Sequence, residues 1–274
     1  MLFISTMHAQ NDSLCEFTMY KADQSLPTVG STSLSMRSHW AAIGATNMLD
    51  TYLSNETYNG FELRYLYETQ RKLKCNGWSR YTQHEADISK THNRADNCDM
   101  IGGNYHFRIG WMKTLPLNVH NLNIHVGGGA EAGIGFLYNT RNQNNPAQLK
   151  TAINIKPRVK ANYCFFIKNK PFAVEYDVTA PLVGLMFSPN YGQSYYEIFT
   201  RGNYDHNIVP ITIVSTPSLR QMISLRFTLW KTDMSIGYLN DIQQSKVNNL
   251  KTHTYSHLFV IGIHKLLEIK RHRP

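Results

Sequence analysis

The chain has 274 residues, a net charge of +9 from 28 Lys and Arg against 19 Asp and Glu, and a mean hydropathy of −0.37. No stretch approaches 18 consecutive apolar residues, which excludes a transmembrane helix, and no basic patch lies on a predicted helix, which argues against a nucleic-acid partner. None of the 4 cysteines forms a CxxC pair, so no zinc site is expected, while a Cys75–Cys98 disulfide stays open.

The chain is expected to begin with a targeting segment. Residues 1–9 resemble the back half of a secretory signal peptide with cleavage after Ala9, although the positively charged start is missing. Residues 10–37 then form an N-terminal segment, residues 38–268 a β-barrel, and residues 269–274 a basic tail. This division predicts one structural domain.

Strands are predicted where apolar and polar residues alternate with period two. In the clearest case, Phe61, Leu63 and Tyr65 share one face while Glu62 and Arg64 share the other. The predicted strands lie at 38–46, 60–73, 78–90, 104–111, 121–138, 150–165, 172–180, 194–200, 207–214, 221–230, 233–241 and 252–267. An even number of crossings requires 194–200 to be a strand.

The connections between these strands alternate in length. Those near 47–59, 91–98, 139–148 and 241–250 are long, and those near 74–77, 115–120, 167–171 and 231–233 are short. Strands longer than ten residues with this alternation are typical of an all-β, antiparallel up-and-down transmembrane β-barrel, here of about twelve strands. The third strand is weakly patterned and is predicted to project beyond the membrane, and Pro157 is predicted to mark a bulge.

Periodicity alone does not say which face is inward, so a soluble lipocalin-like barrel with an oily interior is the alternative. Two observations favour the membrane barrel. Gly127, Gly129, Gly133 and Gly135 lie on the polar face of the fifth strand, where a crowded lumen needs room. Large aromatic residues stand on the oily faces, as an interfacial girdle requires: Tyr65, Tyr67, Trp111, Tyr138 and Tyr163.

The polar faces carry charges of both signs, which predicts a charge network in a narrow lumen. Its members are Glu62, Arg64, Glu68, Arg108, Glu131, Lys156, Arg158, Lys160, Glu175, Asp177 and Arg226. A tight hairpin near 168–170 places Lys160 close to Asp177 or its neighbour. Such pairs would cross-link the wall and fill the interior.

Three segments carry a family resemblance. They are Leu49-Asp50-Thr51-Tyr52-Leu53-Ser54 with the following Tyr58-Asn59-Gly60, the segment from Ser188 to Phe199, and the segment from Gly237 to Gly262. Together they resemble an uncharacterised family of outer-membrane β-barrel proteins, a domain of unknown function, from Bacteroidetes-type bacteria. The resemblance implies a barrel located in the outer membrane. It implies no established activity and no catalytic residues.

A barrel enzyme that hydrolyses or modifies lipids is a second alternative. It would need a serine within reach of a base, and the candidates are Ser256 with His253 or His257, and Ser194. Adjacent residues of a strand face opposite sides, so Ser256 and His257 do not share a face. His106 and His125 share the predicted lumen face, where they could bind a metal or a proton or simply fill space. The Gln193–Phe199 stretch could bind sugar or lipid headgroups, or anchor a loop.

The sequence thus predicts an outer-membrane barrel with a narrow polar lumen and a structural, limited-transport or binding role. No cofactor and no metal are expected. The expected partners are membrane lipids and a small polar solute or cell-surface ligand. The oligomeric state stays open.

Overall fold

A computed structural model describes residues 32–73, 77–117, 119, 121–142, 145–168 and 170–270. The predicted all-β fold is confirmed, and these residues contain 12 antiparallel strands. Their bounds are β1 Thr32–Asp50, β2 Ser54–Lys72, β3 Trp78–Asn93, β4 Asp99–Thr114, β5 Leu122–Asn139, β6 Ala147–Ile167, β7 Lys170–Thr179, β8 Val183–Phe187, β9 Ile208–Thr212, β10 Leu219–Leu229, β11 Thr232–Val247 and β12 Leu250–Lys270. The predicted signal segment 1–9, Cys15, Cys75 and residues 271–274 of the tail lie outside this part of the chain.

Ten of the strands close a ring in the order β1-β2-β3-β4-β5-β6-β7-β10-β11-β12, with β12 paired back to β1. Partners can be followed once around this ring through Lys72, Ser79, Met112, Gly127, Arg158, Thr179, Arg220, Asp241, Ser256, Thr46 and Gly60. The path leaves β2 at residue 72 and returns at residue 60, so the shear number is 72 − 60 = 12. Ten strands with this shear tilt by about 40° from the barrel axis and leave an interior that side chains can fill.

The two short strands β8 and β9 lie outside the ring. β6 pairs with β7 as far as Arg158 and with β8 from Ile155 onward. Arg158 and Ile155 of β6 are three positions apart, whereas their partners Thr179 and Val183 are four positions apart. The partner segment therefore contains one extra residue at this point. Pro157 falls in this gap, where its missing N–H leaves no ladder bond unmade; its pairing with β5 continues without a shift.

The predicted crossing at 194–200 is wrong. Residues Tyr195–Phe199 form a short helix, α1, inside the connection between β8 and β9. Ser194 and Glu197 make a reciprocal capping box, in which each side chain accepts a hydrogen bond from the other's backbone N–H. The number of strands that close the ring is nevertheless even, because ten strands form it. Among the described residues, none of the helices is long and apolar enough to cross a membrane.

The predicted connections at 47–59 and 241–250 are also wrong in length. β1 continues to Asp50 and β2 starts at Ser54, so only residues 51–53 turn. At the β11–β12 hairpin, only Asn248 and Asn249 turn, both with positive φ, which asparagine tolerates well. β3 is a regular member of the sheet, since it pairs with β2 and β4 along nearly its whole length.

The polar faces of the strands point inward. Glu62, Arg64, Leu66 and Glu68 of β2 are all buried, while Phe61, Leu63 and Tyr65 are exposed. This arrangement is the reverse of a soluble lipocalin-like barrel, whose oily face would be inside.

The glycines of β5 serve two purposes. A Cβ on Gly127 or Gly129 would lie 2.0 or 2.2 Å from a backbone carbonyl oxygen of β4, so these glycines allow the two strands to approach. A Cβ on Gly133 would instead meet the His106 ring at 2.7 Å, and one on Gly135 would meet Asn104 at 2.1 Å. Of these four glycines, only Gly133 and Gly135 make room for lumen side chains as the sequence predicts.

Two apolar clusters share the interior with the polar groups. One consists of Trp40, Ala42, Leu66, Met222, Leu239, Leu258 and Val260. The other lies at the end opposite the described chain ends and consists of Met48, Leu53, Tyr58, Cys98, Met100 and Leu137. Cys98 is a free buried thiol within hydrogen-bond distance of Tyr58 and Asn139, while Cys75, its partner in the disulfide that the sequence left open, lies outside the described residues.

Candidate functional site

Charged side chains from eight strands meet inside the barrel. Besides Asp87, whose carboxylate accepts a hydrogen bond from Asn104, seven basic and seven acidic side chains pair with one another in three groups. They are Arg64, Arg108, Lys156, Arg158, Lys160, Arg220 and Arg226 with Glu62, Glu68, Glu85, Glu131, Glu175, Asp177 and Asp241. Equal numbers of opposite charges at close contact offset much of the cost of removing them from water.

The largest group, the central network, is built around Arg64 and Glu85. Arg64 lies 2.5 Å from Glu62, 2.8 Å from Glu85 and 2.5 Å from Asp241. Glu85 also accepts hydrogen bonds from Arg108 and Arg220. Each of the two groups thus has three partners of opposite charge, and side chains from opposite parts of the ring are joined across the lumen.

Glu131 extends the central network to β6. It pairs with Arg108 and lies 2.7 Å from the Nζ atom of Lys156. The central network therefore comprises Glu62, Arg64, Glu85, Arg108, Glu131, Lys156, Arg220 and Asp241.

Two smaller groups lie nearer the end where β1 begins. Arg158 pairs with Asp177 and lies 2.7 Å from Glu68, and its guanidinium stands 4.6 Å from the centre of the Tyr81 ring. Glu175 binds Arg226 at 2.5 Å and Lys160 at 3.3 Å. Lys160 is the direct cross-strand partner of Asp177, yet its ammonium reaches the neighbouring Glu175.

These networks leave little free space at their own level. The void beside Arg108, Arg158 and Asp177 measures about 20 Å³, which is room for roughly one water molecule. A larger cavity of about 170 Å³ lies on the other side of the central network, against Asp87, Asn104 and His106. Within the described part of the chain, the buried Nδ1 atom of His106 has no hydrogen-bond partner.

The connection that contains α1 is tied to the rim of the barrel by hydrogen bonds. Tyr52 donates to the carbonyl oxygen of Gln193, and the Leu149 N–H donates to the hydroxyl oxygen of Tyr195. Burial raises the pKa of Tyr195 to about 12, so this phenol stays neutral at physiological pH. Asn207 and Asn248 both donate to the carbonyl oxygen of Ser188. The Gln193–Phe199 stretch is thus an ordered cap at this rim.

The catalytic candidates Ser256, His253, His257 and Ser194 do not form a serine–histidine pair. The Ser256 hydroxyl donates to Glu62 at 2.5 Å inside the lumen, whereas His253 lies 2.8 Å from Asn47 and stacks on Tyr255. Ser194 caps α1. The ring of His257 contacts the hydroxyl of Tyr238 instead of a serine.

His106 and His125 face the lumen but do not come together. His125 lies 2.9 Å from Thr114 and 3.3 Å from Asn162, while the nearest acid to His106 is Glu131 at 3.8 Å. In the portion of the chain that the structure describes, no cluster of three His, Cys, Asp or Glu residues is arranged to hold a metal ion.

Three members of the central network are missing from the sequence prediction: Glu85, Arg220 and Asp241. Glu85 lies in the strand that was expected to project, and Asp241 lies at the start of a segment expected to be a loop. Arg220 stands one residue before the predicted strand at 221–230. A signal was available for Asp241, because it continues the inward series of Ser235 and Leu239 at period two.

The comparisons with known proteins concern family and fold. The family model described as a protein of unknown function, DUF3316, matches residues 1–273. No curated protein matches the chain. Among solved structures, the chain is similar to the beta domain of the Bordetella autotransporter BrkA, with 8% identity, a TM-score of 0.40, and coverage of 83% of this chain and 98% of that chain.

Two further structures are similar to it. Ail, the attachment invasion locus protein of Yersinia pestis, shares 13% identity at a TM-score of 0.30, with 85% of this chain and 99% of that chain covered. The outer membrane protease OmpT from Escherichia coli shares 5% identity at a TM-score of 0.38, with 89% and 99% covered. At identities this low, the similarity concerns the fold alone.

Proposed function

The chain belongs to the DUF3316 family of proteins of unknown function, and we propose that it is an integral β-barrel protein of the outer membrane with a closed, ion-paired lumen. The observation that carries this proposal is the reversal of the usual soluble pattern. Charged groups are buried inside, and apolar groups cover the outside. Bacteroidetes-type bacteria as its source stays a prediction from the resemblance.

The apolar outer surface runs around the whole barrel. Each of the ten ring strands exposes at least one large apolar or aromatic side chain: Ile43, Phe61, Ile88, Tyr105, Ile134, Ile153, Tyr176, Ile223, Ile236 and Phe259. Phe61 is 72% exposed and Ile88 is 63% exposed. Soluble monomers rarely expose contiguous apolar patches beyond a few hundred Å². Exposing so much apolar surface to water is unfavourable, and a hydrocarbon environment removes that cost. The apolar outer surface therefore supports a membrane-spanning barrel.

Two histidines on the outer surface are each paired with a tyrosine hydroxyl. The ring of His39 lies 2.7 Å from the hydroxyl of Tyr65, and the ring of His84 lies 2.7 Å from that of Tyr105. An unbonded polar group costs several kcal/mol in lipid, so pairing each imidazole with a phenol makes these side chains tolerable there.

The filled lumen favours a structural or binding role over that of an open pore. The networks span the interior, and the adjacent void of about 20 Å³ is too small for a solute larger than water. The 170 Å³ cavity against Asp87, Asn104 and His106 would accept only a small polar ligand.

Cell fractionation combined with gel mobility tests the membrane proposal. We expect the protein in the outer-membrane fraction, with unboiled and boiled samples migrating differently because the barrel resists detergent until heated. Recovery in the soluble fraction without such a shift would refute the proposal. Planar-bilayer recording tests the closed lumen separately: steady conductance from the native protein would contradict it.

A further inference from the structure

Five exposed basic side chains form a band on the outer surface of the barrel, close to the end at which β1 begins and β12 ends. They come from five adjacent strands: Lys265 of β12, Arg37 of β1, Arg71 of β2, Arg80 of β3 and Lys113 of β4. We call this set the basic band.

The strand register makes the basic band continuous. Arg37 is the direct partner of Lys265, and Arg71 is the direct partner of Arg80. Arg71 also stands two residues from Thr69, the partner of Arg37, which makes Arg37 and Arg71 diagonal neighbours. Lys113 stands in the same way two residues from Trp111, the partner of Arg80. Directly opposed side chains have Cβ atoms about 5 Å apart, and diagonal ones about 7–8 Å apart.

The charge of the basic band is not neutralised by the protein. None of its five members forms an ion pair with an acidic group of the described residues. The exposed acids Glu56, Asp96 and Asp205 lie near the opposite end of the barrel. Like charges placed directly opposite each other in a sheet are destabilising, so an external anion would stabilise this row of cations.

The position of the basic band identifies that anion. Along β4 and β12, the outward residues two positions farther into the barrel are Trp111 and Ile263, which are 48% and 50% exposed. The basic band therefore borders the apolar outer surface, at the depth where hydrocarbon gives way to headgroups. Arginine and lysine at this depth bind phosphate through charge-assisted hydrogen bonds while their stems lie along the apolar surface.

We propose that the basic band binds the phosphate groups of anionic phospholipids in the leaflet next to the start of β1 and the end of β12. This inference rests on the proposed membrane location and adds a lipid class and the residues that recognise it. Several phosphates in a row would reduce the repulsion within the pairs Arg37–Lys265 and Arg71–Arg80. A zwitterionic lipid would do so less well, because its own cationic group competes with these side chains for the phosphate.

Native mass spectrometry of the full chain, folded in detergent with equimolar phosphatidylglycerol and phosphatidylcholine, tests the proposal. We expect the protein to retain phosphatidylglycerol preferentially. The double variant Arg71→Gln and Arg80→Gln should lower that preference about fivefold for each charge removed. Lys246 and Lys251 offer a matched control, because they are also exposed, directly opposed and basic but lie at the other end of the barrel. The variant Lys246→Gln and Lys251→Gln should keep the preference.

Three results would overturn the proposal: no lipid preference in the native protein, an undiminished preference in the Arg71 and Arg80 variant, or an equal loss in the control variant. A heat-dependent mobility shift on the same samples separates the two levels of the argument. Loss of the shift in the native protein contradicts the membrane barrel itself, whereas a normal shift without lipid preference contradicts only the role of the basic band.

Discussion

Replacing Arg64 by methionine tests whether the central network holds the barrel together. Arg64 is 2% exposed and touches three carboxylates, those of Glu62, Glu85 and Asp241, at 2.5–2.8 Å. Methionine fills similar space but leaves the network with four acids and three bases. Removing one partner of a buried ion pair typically costs about 3–5 kcal/mol, and we expect Arg64→Met to fall in that range. This is a large share of a stability of about 5–15 kcal/mol.

The measurement is urea unfolding of the folded protein in detergent, followed by gel mobility and tryptophan fluorescence. Lys90→Met is the matched control, since Lys90 also pairs with an acid, Asp99 at 3.1 Å, but its side chain is 70% exposed. We expect this control to lose about 0–1 kcal/mol. If Arg64→Met loses no more free energy of unfolding than Lys90→Met, the central network is not a source of stability and the reasoning is refuted.

Three further predictions concern single sites. Glu175→Gln leaves Lys160 and Arg226 without their shared acid and should lower the free energy of unfolding by about 3 kcal/mol in the same urea assay; a loss below 1 kcal/mol would contradict it. Gly129→Ala should cost about 1–3 kcal/mol and more than Gly133→Ala, because a Cβ at 129 meets fixed backbone whereas one at 133 meets a movable ring; the reverse order would be inconsistent with this explanation. Ser194→Ala removes a helix cap worth about 1 kcal/mol and should speed proteolysis between 188 and 207 without altering the heat-dependent mobility shift.

The face that each residue occupies could be predicted from the sequence because it depends on local geometry. Side chains alternate along a strand, so Glu62 and Arg64 had to share a face, and so did Arg158 and Lys160. The same reasoning placed Lys160 beside Asp177, because a tight hairpin links their strands and sets their register.

The errors arose where local patterns compete. Tyr195 to Phe199 alternates weakly enough to pass for a strand, but the Ser194-x-x-Glu197 capping box is a helix-start signal that outweighs it. The polar stretch at 241–250 looks like a loop because most of its residues are hydrophilic. It is a strand up to Val247 because β12 pairs with it as far as Val247, while β10 pairs with it only as far as Ile242. Beyond that point Ser218 Oγ and the Ser215 carbonyl oxygen accept hydrogen bonds from the N–H groups of Gln244 and Lys246, and polar side chains are suited to a lumen.

The sequence by itself determined the fold class, the alternation of inner and outer faces and the mixed charge of the interior, since each follows from periods of two residues along single strands. Only the tertiary structure decided which charges meet. Arg64 pairs with Asp241, 177 residues away, because the ring closes with a shear of twelve residues, and a shift of two residues in that register would keep every face and change every partner. Ring closure is a property of all ten strands together, and no segment of the chain encodes it alone.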